Sequence, residues 1–363
     1  MIKERVQKSE EIIRGKVKNL FESYGFEEYK MRMFEKYSLY LEHKDFLVGE
    51  KIITFTDLGG ELMALRPDVT LSIVKNAKAD GGSEKLYYCE NVYRGDKQNG
   101  RFREINQLGL ELIGHVGGVE KAEIIGLALG ALSVISSDFV LELSHIGFVC
   151  ALFEACGFDE KTFGSAKLAL KAGNENKLRA IAAKNGLSGD MTDKLCGLVS
   201  SAGTMSDVLP KMKNMIASAE MQSAYDELYA LYEAMRGTPD TDKLRLDFSL
   251  TGEETYYNGI VMSGFVRGVP KAVLSGGQYD KLMQKLDKNA QAIGFALYLG
   301  ELAAYLNSGT EPVDVLIVYG SSAIGAVMEK ARKLRAEGLS VRTEKTMPCG
   351  AAYKKLIDME KGK

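Results

Sequence analysis

The sequence predicts an α+β protein: an antiparallel sheet flanked by helices, interrupted by a helical insertion and followed by a small α/β unit. Three observations point there. Strand-like stretches join through short polar or glycine-containing turns, as hairpins do, rather than through helical crossovers. Between residues 146 and 236 the texture becomes helical and convincing strands are absent. Strands then return, and a tail alternating strand and helix ends the chain. At 363 residues the chain is too long for one small core. The expected division is a discontinuous core of residues 1–145 and 237–306, an insertion of residues 146–236, and an α/β unit of residues 312–363.

Each element has a local reason. In "EEIIRGKVKNLFESYGF", Ile13, Val17, Leu20, Phe21 and Tyr24 form a helical stripe that stops at Gly25. "LVGEKIITFTDLGGELMALRPD" is extended, with a turn at Gly59–Gly60, and Pro67 opens a helix through "DVTLSIVKNAKA". "KLYYCENVYR" and "FREINQLGLELIG" are strands joined by the loop "GDKQNG". A helix, "VEKAEIIGLALGALSVI", and a strand, "FVLELS", follow. Beyond the insertion, "KLRLDFSL", "TYYNGIVMSGFV" and "KAVLSGG" are strands, and "GELAAYL" belongs to a helix. The tail pieces "PVDVLIVYG", "SSAIGAVMEKARKLRAEG", "LSVRTEK" and "AAYKKLIDMEKGK" read as strand, helix, strand, helix.

Composition excludes several classes of function. With 47 basic and 49 acidic residues the net charge is −2, so any basic site is local rather than global. No uncharged apolar run approaches a membrane span, and the start lacks a signal-peptide core. The five cysteines form no CxxC pair, and there are only three histidines. A metal site is therefore not expected, and reduced thiols in the cytoplasm are. His43, His115 and His145 are scattered and read as packing or surface residues. "VYGSSAIG" lacks dinucleotide spacing and reads as a plain strand-to-helix turn.

The hairpin "YRGDKQNGRFREINQLGLELIG" carries the chemistry. Side chains alternate across a strand, so Arg103, Ile105, Gln107, Gly109, Glu111 and Ile113 share one face, and Glu104, Asn106, Leu108, Leu110 and Leu112 the other. Glu90 and Arg94 likewise share parity. A mid-strand glycine marks a place where something approaches closely, and a Gln and a Glu flanking it suit an amine or imidazole. Arginines suit phosphate or carboxylate. A solvated outer face of an edge hairpin carries charge as well, and pattern alone leaves both readings open.

"MALRPDVTLSIVKN", "YRGDKQNGRFREINQLGLELIG", "YYNGIVM", "SGGQYDKLM" and "AIGFALYLGEL" occur in the order found in class II histidyl-tRNA synthetases, and resemble that family's catalytic core over most of residues 1–306. The helical block falls where such synthetases carry an insertion. The resemblance implies a class II synthetase-like sheet that dimerises through the motif-1 region. It also implies a histidine-binding set: Asp68 and Thr70 at the amino group, Gln107 and Glu111 on the same substrate, and Tyr256 and Tyr257 at the imidazole end. Arg94, and Arg103 beside it, match the phosphate-facing arginines, and Gly276 and Gly277 match a glycine turn.

The departures carry more weight. Gly252 stands where the second catalytic arginine belongs, Gln278 where the family has arginine, and Glu301 at the motif-3 arginine position. The motif-1 proline is not evident, and only about half of the roughly 100 residues of an anticodon-binding domain remains. A carboxylate facing a triphosphate repels it, and losing two transition-state cations would nearly abolish activation. The pattern is similar to the synthetase-related regulatory subunits of ATP phosphoribosyltransferase. That resemblance implies no catalysis and no cofactor, with Arg94 and Arg103 vestigial. It also implies a short-form catalytic subunit as partner, histidine as feedback effector in the first step of histidine biosynthesis, and a homodimer core within a hetero-oligomer. A role with tRNA is not expected. The alternatives are a divergent histidyl-tRNA synthetase and a synthetase-like paralogue that charges a carrier protein or senses amino acids.

Overall fold

The computed structural model describes residues 9–42, 52–78, 81–95, 100–251, 257–306, 313–348 and 352–360. They fall into two compact units, one of Lys16–Glu301 and one of Met1–Gly15 with Leu302–Lys363.

Helix α1 (Ser9–Ser23) ends before Gly25, whose φ of 79° closes it, as the stripe predicts. Val17 and Phe21 are buried, and Phe21 meets Phe295 edge-on at 5.8 Å. Short pieces follow: β1 (Glu27–Glu28), β2 (Phe34–Lys36), α2 (Tyr37–Glu42), β3 (Thr54–Thr56) and β4 (Leu62–Leu65). The β3–β4 turn is closed by Asp57, whose Oδ1 accepts from the amides of Gly59 and Glu61. Strands β2, β4 and β3 form a three-stranded antiparallel sheet. Helix α3 (Thr70–Asn76) starts three residues after Pro67, capped by Asp68 Oδ1, which accepts from Leu71 N at 2.8 Å.

The long hairpin is β5 (Glu84–Gly95) and β6 (Phe102–Gly114), in register from Glu84↔Ile113 to Gly95↔Phe102. Then come α4 (Gly118–Ile135) and β7 (Phe139–His145). The following block holds α5 (Ile146–Ala155), α6 (Glu160–Lys171), α7 (Glu175–Lys184), α8 (Gly189–Ser200), β8 (Ala202–Thr204), α9 (Met205–Met215) and α10 (Ala219–Met235). Asp159, Asn174, Ser188 and Ser218 cap α6, α7, α8 and α10, each accepting from an amide three residues on. Helix α10 meets the core through a charged knot. Glu227 lies 2.6 Å from Lys121 on α4 and 3.4 Å from His145 at the end of β7.

After it come β9 (Leu244–Asp247), β10 (Ile260–Val266), β11 (Leu274–Gln278), α11 (Asp280–Lys285), β12 (Gln291–Tyr298) and α12 (Leu299–Leu306). One nine-stranded sheet results, in the order β1-β5-β6-β12-β11-β10-β7-β9-β8, antiparallel except at β1–β5 and β7–β9. Strand β12, fourth in that order and paired with β6, is not predicted by sequence reading. "QAIGFALY" is buried along most of its length, so it shows no alternation.

The second unit contains β13 (Val313–Val318), α13 (Ile324–Ala336), β14 (Val341–Glu344) and β15 (Tyr353–Asp358), with β13 between two parallel neighbours. The final element is a strand, not the expected helix. Pairing with β13 overrides local propensity, and the lysines of "YKKLID" stand exposed on a sheet edge instead of a helix face.

Candidate functional site

The alternation of β6 holds: Leu108, Leu110 and Leu112 are fully buried on one face, while Gln107, Gly109 and Glu111 line the other. Glu111 is only 2% exposed. Its carboxylate rests on hydroxyls, with Thr70 Oγ1 donating to Oε1 at 2.7 Å and Tyr279 Oη to Oε2 at 2.6 Å. Burial pushes the carboxyl up to about 8, the two hydroxyls pull it down, and the charge of Asp68 adds to the rise.

Glycines make room for this arrangement. Gly294 on β12 pairs with Glu111, and a Cβ there would strike the Glu111 carboxylate and the Leu110 carbonyl. Gly277 pairs with Gly294, and a Cβ on it would lie 2.8 Å from the ring of Tyr257. A Cβ on Gly109 would meet the Tyr88 hydroxyl. The close approach expected at Gly109 is therefore made by the chain's own tyrosine. Burial raises the Tyr88 and Tyr257 phenols well above their ordinary range, with Glu111 and Asp68 adding to it, so both stay protonated donors.

At one edge of the face, Asp68 Oδ2 lies 3.4 Å from Arg94 Nη2, and Arg94 Nε donates to the Pro67 carbonyl at 2.7 Å. The arginine expected to face phosphate is thus drawn onto Pro67–Asp68. Two residues earlier, Arg66 is 2% exposed and ties the site together. It donates to the carbonyls of Arg32 and Asn91 and pairs with Glu90 at 2.8 Å. At the mouth, Glu301 in the first turn of α12 pairs with Arg103 at 3.3 Å and Lys271 at 3.4 Å.

Asp68, Thr70, Gln107, Glu111, Arg94 and Tyr257 therefore gather around one face, with Gln107 buried two residues from Gly109. Arg103 lies at its mouth with Glu301. Tyr256 and Gly252 lie outside the described residues. From sequence Tyr88 reads as a sheet-packing aromatic, and Tyr279 and Gly294 are not singled out. Tyr88 shares strand parity with Glu90 and Arg94, and Tyr279 follows Gln278 in the same "GGQYD" stretch, so both signals were present. A separate cavity of about 400 Å³ is lined by Gly82, His115, Gln284, Lys288 and Gln291. Lys288 and Gln291 there already bond to Ala77 O and Val116 N, and none of the residues above lines it. Among the described residues no group of three or more His, Cys, Asp or Glu is placed to hold a metal. No described helix is long and apolar enough to cross a membrane.

A buried acid ringed by hydroxyl groups, beside backbone positions that carry no Cβ, has the chemistry that suits a small cationic or zwitterionic group. A regulatory subunit of ATP phosphoribosyltransferase from Caldanaerobacter subterraneus subsp. tengcongensis is 29% identical over 337 residues, covering 90% of this chain and 87% of the relative. Among solved structures, an ATP phosphoribosyltransferase regulatory subunit/histidyl-tRNA synthetase from Bacillus halodurans superposes with a TM-score of 0.76 at 24% identity, covering 96% of this chain and 93% of that one. A chain of the ATP phosphoribosyl transferase (HisG:HisZ) complex from Thermotoga maritima superposes with a TM-score of 0.63 at 15% identity, covering 79% and 96%. Both share the fold. The family model described as histidyl-tRNA synthetase matches residues 2–302, and by that match the chain belongs to the histidyl-tRNA synthetase family.

Proposed function

We infer that this chain is a non-catalytic regulatory subunit of an ATP phosphoribosyltransferase. It works with a short catalytic subunit in the first step of histidine biosynthesis and takes histidine as feedback effector. One observation carries the reading: the acid-and-hydroxyl end of the face is intact, while the cations suited to phosphate are paired with the chain's own acids. The names of the relatives agree with it, and the fold is shared with a chain of a complex named for that enzyme. The same pairing weighs against histidine activation, which needs free cations on the triphosphate.

On this reading Asp68 and Thr70 hold the amino group, Gln107 and Glu111 hold the same ligand, and Tyr256 and Tyr257 take the imidazole. Histidine then shifts the complex by binding one arrangement of it more tightly than another. The exposed apolar side chains Met33, Phe34, Phe55 and Leu62 around the three-stranded sheet support a homodimer through the region where the sequence resemblance expects one. A cytoplasmic location fits this role. The test mixes the chain with the short catalytic subunit and follows phosphoribosyl-ATP formation with and without histidine. Activity that rises on mixing and falls with histidine is expected. No change on mixing defeats the reading, and histidine-dependent pyrophosphate exchange would then identify a working synthetase.

A further inference from the structure

Resting on that reading and deepening it, we propose that Glu301 is a built-in anion that reserves this face for an amino acid and turns polyanions away. Arg103 comes from β6 and Lys271 from the segment before β11, yet both converge on one oxygen, Glu301 Oε1, at 3.3 and 3.4 Å. Two cations on one oxygen is the arrangement that holds a phosphate oxygen. Here the occupant is a side chain of the protein itself. Its place in the first turn of α12 suits it, because the amide end of a helix favours a negative charge.

The rest of the face follows the same rule. Arg94 leans on Asp68 and the Pro67 carbonyl, and Arg66 on Glu90 and main-chain carbonyls. A triphosphate arriving at the mouth meets a carboxylate among its oxygens and must displace it from two cations. A zwitterion seated deeper, at Glu111 and Asp68, leaves both pairs of Glu301 in place. Glu301 is thus a specificity-determining residue, acting through charge at the mouth rather than through contact with the amino acid.

The experiment titrates tripolyphosphate and ATP into the full chain by calorimetry, for the wild type, Glu301→Gln, Glu301→Ala and the triple variant Glu301→Gln/Arg103→Gln/Lys271→Gln. Both single variants should bind tripolyphosphate about tenfold more tightly than the wild type, the scale set by releasing two partly exposed pairs. Added salt should weaken that gain, and the triple variant should lose it. Single variants that bind no tighter than the wild type overturn the proposal. So does a gain that survives in the triple variant. Histidine titrated into the wild type is a separate readout: no binding there defeats the parent reading and leaves the anion comparison standing.

Discussion

Replacing Glu111 with Gln should make the protein more stable at alkaline pH while leaving its shape unchanged. The native carboxyl is held up to about 8 by burial, against an ordinary value of 4.5. Between those two pH values the unfolded chain has lost the proton that the folded chain still keeps, so stability falls as pH rises. It is fully present below about 4.5 and the loss is complete by about 8. The whole fall is worth about 5 kcal/mol, at about 1.4 kcal/mol for each pH unit. Gln has the same size, and its carbonyl can still accept from Tyr279 or Thr70, but it does not titrate. Urea unfolding of both proteins from pH 5 to 9 gives the assay. Every other titrating group cancels in the difference, which should climb in favour of the variant through this window and then level. Parallel profiles would refute the argument, because they would show a carboxyl that ionises as easily folded as unfolded.

Gly294→Ala should cost about 3 kcal/mol, since the new methyl meets both the Glu111 carboxylate and the Leu110 carbonyl; urea unfolding measures it. Burial alone would raise Glu227, but His145 and Lys121 pull it down to about 2, so its contribution is present above pH 4.5 and lost as pH falls toward 2. Glu227→Gln should therefore remove about 3 kcal/mol at neutral pH and flatten the acid limb of the stability profile. Phe34→Asp should convert the proposed homodimer to a monomer in sedimentation velocity, because Phe34 and Phe55 pack edge-on at 5.6 Å while standing 46% and 37% exposed.

Much of the fold was legible because its signals are local. The stripe of α1, the turn closed by Asp57 and the alternation of β6 all follow from neighbours within a few residues. Strand β12 was not legible, since burial along the strand erases the period that would announce it. Strand β15 failed for another reason: its strand character comes from β13, about 40 residues away in sequence. Within the site, parity alone placed Gln107, Gly109 and Glu111 together. It did not show that Tyr88 would cover Gly109, or that Arg94 would turn toward Asp68. Those are choices among partners from different strands, and a single strand's pattern carries no information about them.

The cost of keeping Glu111 buried also explains how an effector at this face would act. At neutral pH the unliganded site holds a largely protonated acid, because ionising it without a counter-charge is unfavourable. A ligand that brings a cation to Glu111 makes the ionised form favourable and expels about one proton. Calorimetry in buffers of different ionisation enthalpy should register that release at pH 7, fading above pH 9, where the acid is already ionised. The free energy of this exchange enters ligand affinity only in arrangements of the complex that keep Thr70, Tyr279 and Gly294 packed around the acid. An arrangement that loosens this packing lets water reach Glu111, lowers its ionisation cost and weakens its dependence on the ligand. On the reading proposed above, the ligand would then have a differential affinity for the two arrangements, which is the sole means by which binding can shift an equilibrium between them.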